Sequence, residues 1–158
     1  DFESAGIAAG EGADVVVVGD AGDNFTYGSM NRAFRRILDG AEILALEKDR
    51  YWMSPEGLAL SAGPFVAALE YASGREATLI GKPSEAFFSE ALRQLSARAE
   101  ETSMIGDDIV TDVGGAQRCG MQGILVQTGK YRREAAEKCG IVPEAVLPSI
   151  ASLPAYLR

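Results

Sequence analysis

The chain contains no histidine. That absence excludes Ser-His-Asp and Cys-His catalysis and the zinc sites built on imidazole. Cysteine is nearly as scarce. Cys119 and Cys139 are two isolated thiols, which speaks against a disulfide framework and for a reducing, cytoplasmic setting. Both read as structural. No apolar run approaches the roughly 20 residues of a membrane span; the longest pure stretch near the start is Val15 to Val18. A basic stretch followed by an apolar one, the mark of a signal peptide, is missing, as are internal repeats and low-complexity tracts. Basic residues are outnumbered, 15 to 23, for a net charge of −8. This weighs against nucleic acid and against an anionic membrane as the main partner. It suits an enzyme handling a cation or a small anion, and it also suits simple solubility.

What remains has the composition of a folded protein. The 158 residues are 47% hydrophobic and 24% charged, enough for one domain, or for parts of two, with a substantial core. The chain begins at Asp1 rather than Met, and the expectation is a processed or truncated N-terminus.

Strand and helix signals alternate. Asp14 to Gly19 is a short β-branched run that reads as a buried strand, and Met30, Ala33, Phe34, Ile37 and Leu38 recur at helical spacing before Gly40. Ile43 to Leu46 reads as a strand, and Ser54-Pro55-Glu56-Gly57 as a turn. A helix is expected from Pro64 to Tyr71, then a strand over Ala77 to Ile80. Phe87, Phe88, Ala91, Leu92 and Leu95 form an apolar helical face. Strands are expected at Thr102 to Ile105, Gly123 to Val126 and Ala145 to Leu147, with helices at Arg132 to Cys139 and Ser149 to Leu157. Such alternation predicts an α/β fold with a largely parallel sheet covered by helices.

Two segments carry the chemistry. In Met104-Ile105-Gly106-Asp107-Asp108-Ile109-Val110-Thr111-Asp112 an apolar strand delivers three carboxylates at its carboxyl end, where open α/β sheets bind ligands. Clustered carboxylates favour a hard cation such as Mg²⁺. Equally, Asp107 or Asp108 caps the following helix and Asp112 lies on its surface. The second segment, Gly81-Lys82-Pro83-Ser84, follows a strand and opens an amphipathic helix with Ser84 as N-cap. A lysine there adds to the positive end of the helix dipole, which suits phosphate better than it suits stability. The plainer alternative is a solvated loop lysine.

Other features are less directive. Gly114-Gly115 marks either close packing or a frayed segment. Gly19-Asp20-Ala21-Gly22-Asp23-Asn24 lacks the glutamate and spacing of an EF-hand and reads as a loop entering a helix. Asp49-Arg50-Tyr51-Trp52 lines a site or is a half-exposed strand.

Taken in order, the pieces form a pattern. Val15 to Gly19, Asn24-Phe25-Thr26-Tyr27, Asn31-Arg32-Ala33-Phe34, Leu38-Asp39-Gly40-Ala41 and Ala68-Leu69-Glu70-Tyr71-Ala72 come first. Gly81 to Ser84, Met104 to Asp108, Gly114-Gly115-Ala116-Gln117 and Gly123 to Tyr131 continue it. Together they resemble the haloacid dehalogenase (HAD) superfamily, in the NagD-like branch with a large α/β cap. The resemblance covers nearly the whole chain and is weakest over Asp1 to Gly12 and after Arg133.

The resemblance implies a partial doubly wound, Rossmann-like HAD core with part of an α/β cap. Residues 1–76 would be the C-terminal part of the cap and residues 77–158 the C-terminal half of the core. It implies a phosphatase that uses Mg²⁺ and an aspartyl-phosphate intermediate, with a small phosphorylated substrate. Lys82 matches the lysine that neutralises the phosphoryl group and the nucleophile, and Gly81 and Ser84 beside it are expected to bind the phosphate with it. Asp107 matches the Mg²⁺ ligand, and Asp112 the second acid that supports the metal shell or the lysine; Asp108 lies between them. Residues Asp49 to Trp52 are the expected substrate-facing loop of the cap.

One departure stands out. The family nucleophile, in an N-terminal Asp-x-Asp or Asp-x-Ser followed by Gly-Thr, matches nothing in residues 1–158. The expectation is a piece of a phosphatase, inactive alone. A non-catalytic binding module, or half of a split enzyme, is the alternative. A phospho-receiver domain fits less well, because its lysine follows its acidic pair, whereas Lys82 precedes Asp107. The expected partners are an N-terminal segment outside the chain or a second copy of it.

The missing nucleophile strand would pair beside Thr102 to Ile105, so that strand is expected to keep an open edge. We predict a chain that melts at a concentration-dependent temperature and self-associates in analytical ultracentrifugation. A sharp, concentration-independent melt of a monomer would contradict this.

Overall fold

The computed structural model describes residues 2–10 and 12–158. Asp1, where the expected cap piece begins, and Glu11 lie outside the described residues. The chain divides into two compact units, Asp1–Trp52 with Leu58–Ile80, and Met53–Gly57 with Gly81–Arg158.

The first unit is built on a three-stranded parallel sheet in the order β1-β2-β5: β1 (Val15–Val18), β2 (Glu42–Ala45) and β5 (Thr78–Leu79). Val16 stands opposite Ile43, and Leu44 opposite Thr78. Between β1 and β2 runs α1 (Tyr27–Leu38). Its start is fixed by Thr26, whose hydroxyl accepts from the Ser29 amide while the Ser29 hydroxyl accepts from the Thr26 amide, a reciprocal capping box. The Gly19 to Asn24 segment is a loop and a short turn leading into that cap, as its sequence predicts.

Helix α2 (Gly63–Ser73) has Pro64 in its first turn and ends on a left-handed Gly74. Ile37 from α1 and Val66 and Leu69 from α2 pack on Val18, Ile43 and Ala45. Burial of these side chains contributes roughly 1.5–3 kcal/mol for each larger one. The helices cover only one sheet face, so β1 is not the buried strand its β-branched run suggests. Val18 is buried and Val16 packs inward, while Val15 and Val17 are about 40% exposed, at 40% and 38%. The Lys48 ammonium lies 2.7 Å from Glu70 Oε2, and the Ala77 amide donates to Glu70 Oε1 at 2.8 Å. Burial pushes the Glu70 carboxyl up, but the Lys48 hydrogen bond, the Ala77 amide and the Lys48 charge outweigh it and hold it below the usual carboxylate range.

Strands β3 (Tyr51–Ser54) and β4 (Gly57–Leu60) form a two-stranded ribbon. The turn between them is closed by Ser54, whose hydroxyl donates to the Gly57 carbonyl at 2.9 Å.

The second unit holds another parallel sheet, in the order β6-β7-β8: β6 (Ser103–Gly106), β7 (Gln122–Val126) and β8 (Ala145–Leu147). The side chains of β7 alternate between two cores. Leu125 packs with Ile109 and Val113, and Ile124 and Val126 pack with Leu147. This explains the unbroken apolar run in β7, which reads as a strand buried on both faces.

Helix α3 (Glu85–Leu95) is capped by the Ser84 hydroxyl, which accepts from the Phe87 amide. Its Phe88 is 1% exposed and packs with Ala116 and Met121. Ala116 lies on α4 (Gly115–Arg118). Gly114 and Gly115 mark close packing, not fraying: a Cβ at Gly115 would stand 2.6 Å from the Phe88 ring, and one at Gly114 2.6 Å from Ile141. Helices α5 (Arg133–Lys138) and α6 (Leu153–Tyr156) complete the unit; the expected helix over 149–157 is divided, its first turn being a tight 3₁₀ turn at Ile150–Ser152. Cys119 and Cys139 are free thiols packed against these cores. Burial pushes the Cys119 thiol up, the Glu85 charge adds to this, and Arg118 opposes it, which agrees with an unreactive structural role. Among the described residues no helix is long and apolar enough to cross a membrane.

Phe88 is the largest side chain buried this fully, and Gly115 leaves its ring no slack. Phe88→Ala should therefore destabilise the second unit by about 3–5 kcal/mol, read by chemical denaturation. A loss under about 1 kcal/mol would show that the cluster does not organise the unit.

Candidate active site

The site begins where β6 ends. After Gly106 the chain runs through Asp107 and Asp108 into a wide turn, Ile109–Gly114, in which the Val113 amide reaches back five residues to the Asp108 carbonyl. Such π-type turns recur at functional sites. Here the turn brings Asp112 back beneath the strand end. Asp108 caps the turn: its Oδ1 accepts from the Val110 and Thr111 amides at 2.9 and 3.0 Å. The capping alternative raised by the sequence thus holds for Asp108.

Asp112 is not on a surface. It is 3% exposed. Its Oδ1 accepts from the Lys82 ammonium at 2.7 Å and its Oδ2 from the Asp108 amide at 3.1 Å. A buried carboxylate left unpaired would be costly, and both of its oxygens are satisfied. Gly106 makes the room: a Cβ there would collide with the Asp112 carboxylate. Lys82 approaches from the segment before α3 and is not a solvated loop lysine. Gly81 beside it is buried, and Ser84 caps the helix.

Asp107 is held differently. Its Oδ2 accepts from the Lys130 backbone amide at 2.8 Å, and its Oδ1 accepts no hydrogen bond among the described residues. The structure therefore joins Lys82, Asp112 and Asp108 in one hydrogen-bonded chain, with Asp107 adjacent in sequence but tied to the loop after β7. Among the described residues no three acidic side chains converge on a point that could hold a metal ion. Mg²⁺ does not need such a cage, since it is commonly bound through one or two carboxylates with waters and phosphate oxygens. Asp107, with one oxygen steadied and the other open, fits that donor set. Asp112 and Asp108 already hold other partners. Tyr51 and Trp52 stand partly exposed on β3, at 38% and 41%.

Sequence reasoning gave no role to Gly129 or to the Lys130 amide, because a backbone donor leaves no side-chain signature. The only available hint was a Gly-Lys pair just after a buried strand.

The HAD-hydrolase-like family profile matches residues 79–153. Haloacid dehalogenase-like hydrolase domain-containing protein 2 of Bos taurus is 53% identical over 130 residues, covering 82% of this chain and 50% of that protein. Phospholysine phosphohistidine inorganic pyrophosphate phosphatase of Bos taurus is 50% identical over 119 residues, covering 74% of this chain and 44% of its own length. The chain thus spans about half the length of these relatives. A crystal structure of 4-nitrophenylphosphatase from Thermotoga maritima superposes with a TM-score of 0.90 at 30% identity, over 99% of this chain and 60% of that one. NagD from E. coli K-12 superposes with a TM-score of 0.80 at 28% identity, over 95% of this chain and 59% of its own. The strand-end acids, the lysine before α3 and these likenesses together place the chain in the haloacid dehalogenase superfamily, in its NagD-like branch.

Proposed function

We propose that this chain supplies the lysine and the Mg²⁺-binding half of a phosphatase site, acting on small phosphorylated molecules through an aspartyl-phosphate intermediate. The observation that carries the reading is the Lys82–Asp112 pair at 2.7 Å, with Asp112 buried and the lysine side chain 38% exposed. A buried carboxylate fixes the base of the ammonium and leaves its other protons for a ligand at the carboxyl end of β6. An ammonium so held neutralises a phosphoryl group without reorganising as charge develops. Mg²⁺, when bound at Asp107, would supply Lewis-acid polarisation of phosphoryl oxygen. Asp112 orients Lys82, and Asp108 shapes the turn.

In this reading residues 1–76 belong to the cap and residues 77–158 to the core. The setting is the cytoplasm. No residue in 1–158 matches the family nucleophile, so the chain depends on an aspartate supplied from another segment.

The pure 158-residue chain with Mg²⁺ should not turn over p-nitrophenyl phosphate. Mixed with the polypeptide that precedes the matching region in a relative, it should do so, and Lys82→Met should lower that rate by roughly 100–1,000-fold. Turnover by the chain alone, abolished by Asp107→Asn, would overturn the dependence on a second segment. Silence of the mixture, with the two pieces shown to associate, would overturn the phosphatase reading.

A further inference from the structure

The loop after β7 carries a feature that the lysine and the acids do not explain. The Tyr131 amide closes a tight turn onto the Thr128 carbonyl at 3.0 Å. Gly129 occupies its first central position with φ +54°, and Lys130, at the second, is not in the left-handed region. This is the pattern of a II′ turn, which favours glycine first. Conformation is only half of the constraint. A Cβ on Gly129 would overlap Oδ2 of Asp107, the oxygen that accepts the Lys130 amide at 2.8 Å. The turn therefore presses bare backbone against a carboxylate at the end of the neighbouring strand.

We propose that Gly129 is a positioning residue for the cation-binding carboxylate. Its missing side chain lets the Lys130 amide grip one oxygen of Asp107, so that the other is presented to the ion in a fixed orientation. The inference rests on reading Asp107 as the Mg²⁺ ligand. It adds that the ligand's geometry is set by the backbone after β7, not by another side chain. A charge-assisted amide bond of this kind acts as the outer support of a ligand, and loss of such support commonly weakens metal binding about 10–100-fold. At the first central position of a II′ turn any L side chain is strained. Gly129→Ala and Gly129→Asn therefore carry both the conformational and the steric cost, and the response of the Lys130 amide is the readout that isolates the contact with Asp107.

The test is a Mg²⁺ titration of the ¹⁵N-labelled 158-residue chain, followed by backbone amide shifts, with thermal unfolding measured in parallel. In the unsubstituted chain, Mg²⁺ should shift the amides of Asp107, Asp108 and Lys130 along one binding curve, and Asp107→Asn should abolish that curve. Gly129→Ala and Gly129→Asn should both weaken it by about 10-fold or more while the chain stays folded. Two results would overturn the inference and leave Asp107 as ligand: a Lys130 amide unmoved while Asp107 and Asp108 respond, or Gly129→Asn binding like the parent. No Mg²⁺-dependent shift in the unsubstituted chain would remove the Asp107 reading and the inference together. The Lys130 amide readout decides the matter even if a substituted chain fails to fold.

Discussion

A carboxylate buried to 3% exposure has few places to put its charge, and the second unit is arranged around that constraint. Asp112 needs Lys82 on one oxygen and the Asp108 amide on the other. Meeting both demands links three stretches of chain. The wide turn Ile109–Gly114 returns Asp112 to the end of β6, Gly106 leaves the space for its carboxylate, and the segment before α3 delivers the ammonium. Removing Lys82 would strand the Asp112 charge in a place with little water. The pair thus fixes the position of a group that chemistry can use, since the lysine remains partly open while its counter-ion is closed off.

Packing reinforces the same geometry from behind. Phe88 on α3 fills the space left by Gly115 on α4, and Ala116 and Met121 complete the cluster. Helix α3 therefore cannot shift without disturbing the turn that carries Asp112. On the same face of the sheet, Val113 and Leu125 join Ile109 in a second core. The wide turn sits between apolar contacts and polar ones, which suits a segment that must hold two carboxylates at set positions.

Much of this was legible in the residues. The strands and helices follow from apolar periodicity, and the caps from Thr26 and Ser84, because those signals are local. The resemblance to HAD enzymes rested on the whole ordered set of motifs from Val15 to Tyr131, Gly81 to Ser84 and Met104 to Asp108 among them, and the comparisons bear out the family. Two things were not legible. The half-exposure of β1 depends on which face the helices cover, and a run of four valines carries no information about that. The division of labour among the three acids depends on the path of the turn. Asp107, Asp108 and Asp112 look alike in sequence, yet one accepts a distant backbone amide, one caps a turn and one holds a lysine. Gly114-Gly115 left packing and fraying both open until Phe88 and Ile141 were seen against them.

The central claim is that Asp112 and Lys82 act as one unit. A double-mutant cycle measures it directly, using Asp112→Asn, Lys82→Met and the double substitution, each followed by chemical denaturation. The account predicts a favourable coupling of roughly 1–2 kcal/mol, above the range of exposed surface pairs and tempered by the open side of the lysine. Additivity of the two single effects within about 0.5 kcal/mol would contradict it, because it would mean that the buried acid and the lysine hold their places independently.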